Sequence, residues 1–333
     1  RYPGLLALFT DAAHSEQVWS WTEPVAGVPV YCEASRRPDR LNPRLHWRVA
    51  ALGTRLEEAE GAQQGGTALA DAVAAALLRL IRLRAPGLRA VAGDATVAAH
   101  VRARRLIEES GDGAQLRAVW WALRTLRVLD PACGTGEWLL AARAALEPLY
   151  VACLERMQSA IDDLRRARTP HRASRLADFR AVLERAHDPA RYPGRSSYAR
   201  EAAVLRNLHG AEPDPVAAAT CRARLIAGPR DLASLPALAC RVCAGPLVAA
   251  RDRALPPALA EEAEAAGRAD HMLRWMRLEQ DLSTGALAEG LAAVEARRAR
   301  IRAALGGAAD PRVDFHDVLA RGGFHLVREA ERG

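Results

Sequence analysis

The stretch Arg127-Val-Leu-Asp-Pro-Ala-Cys-Gly-Thr-Gly-Glu-Trp-Leu-Leu140 constrains the fold more than any other part of the chain. A short run of valine and leucine stops at an acid, and a glycine turn then opens into a helical pattern. That is the order of a strand, a tight turn and a helix. A strand ending at Asp130-Pro131 delivers a carboxylate to the carboxyl edge of a parallel sheet, where open α/β sheets bind their ligands. Gly134 and Gly136 carry no Cβ, so backbone amides there can approach a ligand closely. The helix expected from Glu137 to Leu146 points its positive amino end at the same place. A Gly-x-Gly after a strand is shared with dinucleotide-binding folds, but their fingerprint has a third glycine three residues beyond the second. That position is Leu139, which disfavours a nicotinamide or flavin site.

With 333 residues the chain is long enough for two domains or for one large domain with an appendage, and its 50% apolar composition fits a folded globular protein. No uncharged apolar stretch approaches the roughly 20 residues a bilayer requires, so no membrane association is expected. The net charge of +7 suits a polyanionic partner, yet every one of the 47 basic residues is arginine. Together with abundant Ala, Gly and Pro, that bias points to GC-rich coding, which weakens the charge as a sign of DNA binding. Six scattered cysteines and an opening Arg1-Tyr-Pro-Gly without a secretory pattern lead to the expectation of a reducing cytoplasm. Cys240 and Cys243 are spaced as a metal or redox pair, but no second pair accompanies them and Arg241-Val242 reads as strand interior. No metal site is assigned.

Residues 1 to about 118 read as a mainly helical lead-in, with helical periodicity over Trp47 to Glu60, Ala68 to Leu83 and Asp94 to Glu109. Leu116 to Leu126 forms a helix that feeds the strand Val128-Leu129. After the glycine turn the pattern is helical to Arg168, with Pro148 as a break or new first turn, and again from Leu176 to Arg185. A Pro-, Gly- and Ser-rich loop is expected from Asp188 to Ser197. Arg206-Asn-Leu-His-Gly-Ala-Glu-Pro-Asp-Pro215 then repeats the order strand, acid, helix. From Ala254 to Leu305 the pattern is an antiparallel helical hairpin with its turn at Ser283-Thr-Gly285. The basic run Arg297, Arg298, Arg300 and Arg302, balanced by Glu279, Glu289 and Glu295, reads as a solvated face.

Asp130-Pro131-Ala132-Cys133-Gly134-Thr135-Gly136, followed by Trp138-Leu139, resembles the first motif of the amino-group, adenine-specific DNA methyltransferases, Asp-Pro-x-Cys-Gly-Ser/Thr-Gly-x-Phe-Leu. Asn207-Leu-His-Gly-Ala-Glu212 and Cys221-Arg-Ala-Arg-Leu225 are similar to Asn-Leu-Tyr-Gly-Val-Asp and Cys-Lys-Leu-Arg-Leu of the large restriction-modification (type IIG-like) members. Leu235 to Val248 resembles a third motif with two departures. Arg241 stands at its asparagine, and Pro246 stands where a polar residue would sit near the cofactor's adenine. Aligned on Phe324, the catalytic Asn-Pro-Pro-Tyr falls on Ala330-Glu331-Arg332-Gly333, so no catalytic residue is assigned.

The resemblance implies an α/β fold: a partial Rossmann-like methyltransferase sheet with a helical N-terminal region and a helical hairpin insertion. The expected divisions are a helical region at 1–118, the first part of a cofactor-binding core at 119–254, the hairpin at 255–312, and the start of the strand leading to the catalytic motif at 313–333. It also implies S-adenosylmethionine as cofactor, held by Asp130, Pro131, Ala132, Cys133, Gly134, Thr135, Gly136 and Glu212. In the family, the carboxylate at the Glu212 position accepts hydrogen bonds from the two ribose hydroxyls. Double-stranded DNA and the remainder of a restriction-modification polypeptide or complex are the implied partners. The expected function is that of a fragment or degenerate form of a site-specific adenine DNA methyltransferase. The alternative is a non-catalytic methyltransferase-like DNA-binding or scaffold module.

Overall fold

The computed structural model describes residues 19–25, 28–34, 55–84, 97–111, 113–166, 176–226, 235–245, 255–307, 309–321 and 323–328. Most of these are helical, and the centre is a four-stranded parallel sheet. Two strands precede it, β1 (Trp19–Val25) and β2 (Val28–Ala34), paired antiparallel with Trp19 opposite Ala34. They correct the expectation of a mainly helical lead-in at that point. Their local cause is alternation of β-branched and aromatic residues, in Trp-Ser-Trp-Thr and again in Val-Pro-Val-Tyr. The rest of the described lead-in is helical: α1 (Arg55–Arg84), α2 (Ala99–Glu108) and α3 (Gly113–Thr125). Asp94, the expected cap of the second of these, lies outside the described residues.

Strand β3 (Val128–Asp130) follows α3 and runs into the glycine turn. Helix α4 (Glu137–Arg166) then continues for 30 residues with Pro148 inside it. The sequence reading there is a break or a new first turn, because proline cannot donate a backbone hydrogen bond and crowds the preceding turn, at a cost of about 3 kcal/mol. Burial of Leu146, Leu149, Tyr150, Leu154 and Met157 on both sides of the proline holds the helix together. Each such side chain contributes about 1.5–3 kcal/mol when fully buried, so packing outweighs the missing bond.

Helices α5 (Ala177–Ala186) and α6 (Arg195–Arg206) lead to β4 (Leu208–Glu212), and α7 (Pro215–Ile226) leads to β5 (Arg241–Ala244). The helical hairpin is α8 (Pro257–Glu279) and α9 (Thr284–Ala304), with Ser283 capping α9 by accepting from the Ala286 amide at 3.2 Å. Two short helices, α10 (Pro311–Asp314) and α11 (His316–Leu319), precede β6 (Leu326–Val327).

The strand order is β5-β4-β3-β6, all parallel, with Val128 opposite both Leu208 and Leu326 and His209 opposite Arg241. Successive residues of a strand point to opposite faces, and both faces of this sheet are covered. Val128, Leu208 and Val242 join the large core with α1 to α7, whereas Leu129, Ala211 and Cys243 pack with Phe315, Val318 and Phe324. No described helix is long and apolar enough to cross a membrane.

Asn207 fastens the sheet to the helices. Its side-chain amide donates to the carbonyls of Leu123 at 2.8 Å and Leu126 at 2.7 Å, which the end of α3 leaves without helical partners. Its Oδ1 accepts from the Tyr150 hydroxyl at 3.0 Å, and all these groups are buried. An unmade bond here would leave a buried polar group costing about 1–3 kcal/mol, so the junction of α3, α4 and β4 is specified tightly.

Candidate functional site

The glycine turn sits at the carboxyl ends of β3 and β4, as the sequence led us to expect. Gly134 and Gly136 have φ of 53° and 95°, and a Cβ on Gly136 would stand 2.7 Å from Cys221 Sγ on α7. Both the backbone conformation and the close approach therefore require glycine at 136. The turn is tied to β4 by the Cys133 amide, which donates to the Ala211 carbonyl at 2.9 Å. The Gly136 amide closes the turn on the Cys133 carbonyl at 2.8 Å. A hydrogen bond with Cys133, and burial, push the Cys221 thiol well above its ordinary value, so it remains protonated.

Glu212, the last residue of β4, meets this turn across 78 residues of sequence. One carboxylate oxygen accepts from the Gly134 amide at 2.8 Å and the other from the Asp214 amide at 3.0 Å. The residue is 7% exposed. A carboxylate has about four lone-pair positions, so two more hydrogen bonds can be accepted beside these.

Asp130 lies at the end of β3, fully buried. Its Oδ1 accepts from the Ala132 amide at 3.2 Å, and its Oδ2 is 3.2 Å from Arg328 Nη1. Burial raises its pKa above the ordinary carboxylate value, and Arg328 and the Ala132 amide only partly offset that. Thr135 donates from Oγ1 to Glu137 at 2.9 Å, while Arg224 of α7 donates to the Thr135 carbonyl at 3.0 Å and pairs with Glu137. The sequence-predicted residues from Asp130 to Gly136, with Glu212, are thus gathered at one edge of the sheet. Pro246, Ala330, Glu331, Arg332 and Gly333 lie outside the described residues.

Two residues here were not anticipated. Arg328 was passed over because it stands in an apolar position of the aligned strand, and Arg224 because its partner lies 87 residues away. His325 faces the start of β3, where its Nδ1 accepts from the Arg127 amide at 3.0 Å.

Cys240 and Cys243 flank the interior of β5, as expected for a strand. Their thiols donate to the carbonyls of Arg222 and Gly210, both at 3.5 Å. Burial raises the pKa of both, that of Cys240 to about 12. Among the described residues no group of three or more His, Cys, Asp or Glu is placed to hold a metal ion.

The basic run on α9 is the expected solvated face only in part, with Arg300 exposed and Arg298 not. Arg298 is buried, with Nη2 3.2 Å from Asp270 of α8, and Arg302 pairs with Glu295 and Asp314. Arg298 turns inward because Asp270 is wholly buried, and Asp270 also holds Arg241 at 2.9 Å and Arg274 at 2.8 Å. Burial opposes ionisation of Asp270, but the three guanidinium groups outweigh it and hold the carboxyl well below the ordinary range.

Comparison with protein-family models, with curated proteins and with solved structures gave no match to this chain.

Proposed function

We propose that this chain binds S-adenosylmethionine at the carboxyl edge of its sheet and is a part, or a catalytically degenerate form, of an adenine-specific DNA methyltransferase of restriction-modification type. The observation that carries the reading is the 2.8 Å hydrogen bond from the Gly134 amide to Glu212. It joins the two motifs on which the resemblance rests. The carboxylate keeps capacity for two ribose hydroxyls, and the glycine turn with the start of α4 offers close backbone approach to the rest of the cofactor.

The topology supports the same reading. In order of first appearance within the sheet the strands run 3-2-1-4, the first four of a doubly wound, Rossmann-like arrangement. The crossovers reverse direction at β3, and ligands of such sheets bind in the crevice at that reversal, here between β3 and β6. Double-stranded DNA and the remaining components of a restriction-modification system are the partners this function would have.

A second reading is a methyltransferase-like module without catalysis, serving as a DNA-binding or scaffold subunit. Arg328 favours it, because its guanidinium already occupies Asp130 at the reversal point.

Calorimetric titration of the purified chain with S-adenosylmethionine tests the cofactor assignment. Saturable binding is expected, and Glu212→Ala is expected to weaken it about ten- to a hundredfold, the equivalent of roughly 1.5–3 kcal/mol for hydrogen bonds to a charged group. Absence of binding to the unaltered chain, or equal affinity for both proteins, would overturn the reading.

A further inference from the structure

The opposite edge of the sheet holds a second concavity, of about 290 Å³. Six arginines line it: Arg124, Arg127, Arg206, Arg241, Arg274 and Arg321. They come from the end of α3, the approach to β3, the end of α6, the start of β5, α8, and the turn after α11. Among the described residues no carboxylate lines the cavity. The acids behind it are fewer than the cations they serve. Glu279 is shared by Arg124, Arg185 and Arg206, and Asp270 by Arg241, Arg274 and Arg298, while Asp317 also pairs with Arg241.

Two of these groups have no anion to face among the described residues, and a third is only partly satisfied. Arg127 and Arg321 make no ion pair among the described residues: Arg127 Nη1 donates to the Arg124 and Leu126 carbonyls, and Arg321 Nη1 lies 2.6 Å from His271 Nε2. Burial, with Arg321 next, holds the pKa of His271 down to about 4, so the imidazole is neutral and brings no compensating charge. Arg206 is about nine-tenths buried, and its Nη1 has no hydrogen-bond partner among the described residues. Burial and the neighbouring Arg241 charge hold Arg127 down to about 10. Cations crowded in this way are stabilised by an anion, and guanidinium groups match phosphate oxygens in paired geometry.

Two tryptophans border the cavity, Trp121 on α3, which is 38% exposed, and Trp275 on α8. Aromatic faces of this kind stack on a base or pair with a cation. The cavity is too small for a duplex, whose major groove alone is about 12 Å wide. A single strand carries one charge per nucleotide, each separated from the next by a sugar, whereas six guanidinium groups around one small volume suit charges held on directly linked phosphates.

We propose that this edge of the sheet binds a nucleoside polyphosphate, with the phosphates among Arg127, Arg206 and Arg321 and the base against Trp121 or Trp275. The site is separate from the cofactor site at the glycine turn, so it stands whether or not S-adenosylmethionine binds.

The test is calorimetry of the full chain with inorganic tripolyphosphate, ATP and orthophosphate at fixed ionic strength. Tripolyphosphate and ATP are expected to bind saturably, and orthophosphate at least tenfold more weakly. Arg321→Ala should weaken both polyphosphates tenfold or more with its melting temperature little changed, because the side chain is exposed and its partner is a neutral ring. Arg166→Ala, on an exposed turn of α4, should leave binding unchanged. Trp121→Leu should weaken ATP severalfold and leave tripolyphosphate unaffected. Failure of tripolyphosphate to bind, equal loss from Arg166→Ala and Arg321→Ala, or binding confined to single-stranded oligonucleotide would each overturn the proposal.

Discussion

Arg328, the residue after β6, places its guanidinium 3.2 Å from the carboxylate of Asp130, the last residue of β3. The carboxylate is wholly buried and the arginine side chain is 42% exposed, so the pair spans from the sheet to its open edge. S-adenosylmethionine carries a sulfonium and an ammonium group, and a cation already resting on Asp130 competes with both. Arg328→Ala is therefore expected to tighten S-adenosylmethionine several-fold if the cofactor sits at this edge. It is also expected to raise the pKa of Asp130 further, because the main group opposing the effect of burial is gone. Titration calorimetry near neutral pH, repeated at lower pH, reads both effects. An unchanged or weaker affinity would show that Arg328 does not compete for the cofactor.

Asp270 pairs with three arginines from three elements, Arg241 of β5, Arg274 of α8 and Arg298 of α9, and so fastens the helical hairpin to the sheet. Asp270→Asn keeps the shape of the side chain but leaves Arg274 and Arg298 buried without their anion, while Arg241 keeps Asp317. Breaking a buried ion pair from one side costs about 3–5 kcal/mol. Urea unfolding should show a loss of that order, and a change below about 1 kcal/mol would mean that water reaches the cluster.

These two clusters mark the border between what was legible in the sequence and what was not. Val128-Leu-Asp130 and Leu208 to Glu212 were legible because strand residues, an acid and a turn stand side by side, and the meeting of Gly134 with Glu212 follows once both are strand ends. The hairpin followed from its 3.6-residue period. Arg298 was misread because its partner Asp270 is 28 residues away on another helix, and local charge balance says nothing about such pairs. The first turn of α6 was hidden by Tyr192-Pro-Gly-Arg-Ser-Ser197, whose composition reads as loop although Ser197 is buried and helical. The arginine-lined cavity was invisible because its cations lie far apart in sequence and come together only through the sheet order.

His209 makes the fold sensitive to acid. Its ring is fully buried between Phe315 and Phe324, both edge-to-face with it. Nδ1 lies 3.0 Å from the Asn207 carbonyl and so carries the proton, which leaves Nε2 to accept from Arg241 Nη1 at 3.3 Å. Burial, then Arg241 and Arg127, depress its pKa well below 6.5. The unfolded chain takes up a proton near 6.5 that the folded chain refuses. Stability from this group is thus complete above pH 6.5 and falls as the pH drops toward the folded value, by up to about 1.4 kcal/mol per pH unit. Denaturation midpoints between pH 8 and 5 should decline below 6.5, and His209→Gln should flatten that part of the profile. A profile that His209→Gln leaves unaltered would place the sensitivity elsewhere.

The last prediction concerns chemistry. The amine of adenine is a poor nucleophile because its lone pair is delocalised into the ring. Methyl transfer to it needs acceptors positioned on the amine and an aromatic surface to hold the base out of the duplex. At the aligned positions Ala330 has no side-chain acceptor, Glu331 and Arg332 cannot reproduce a Pro-Pro backbone, and Gly333 has nothing to stack. On the proposed reading, binding would rest on Asp130, Gly134, Gly136 and Glu212 and transfer on groups absent at the aligned positions, so cofactor binding without DNA methylation is the expected outcome. Incubation with tritiated S-adenosylmethionine and mixed-sequence duplex DNA is expected to give no label above a control without protein. Clear incorporation at adenine would mean that another part of the chain provides the acceptors, and the alignment on Phe324 would then be wrong.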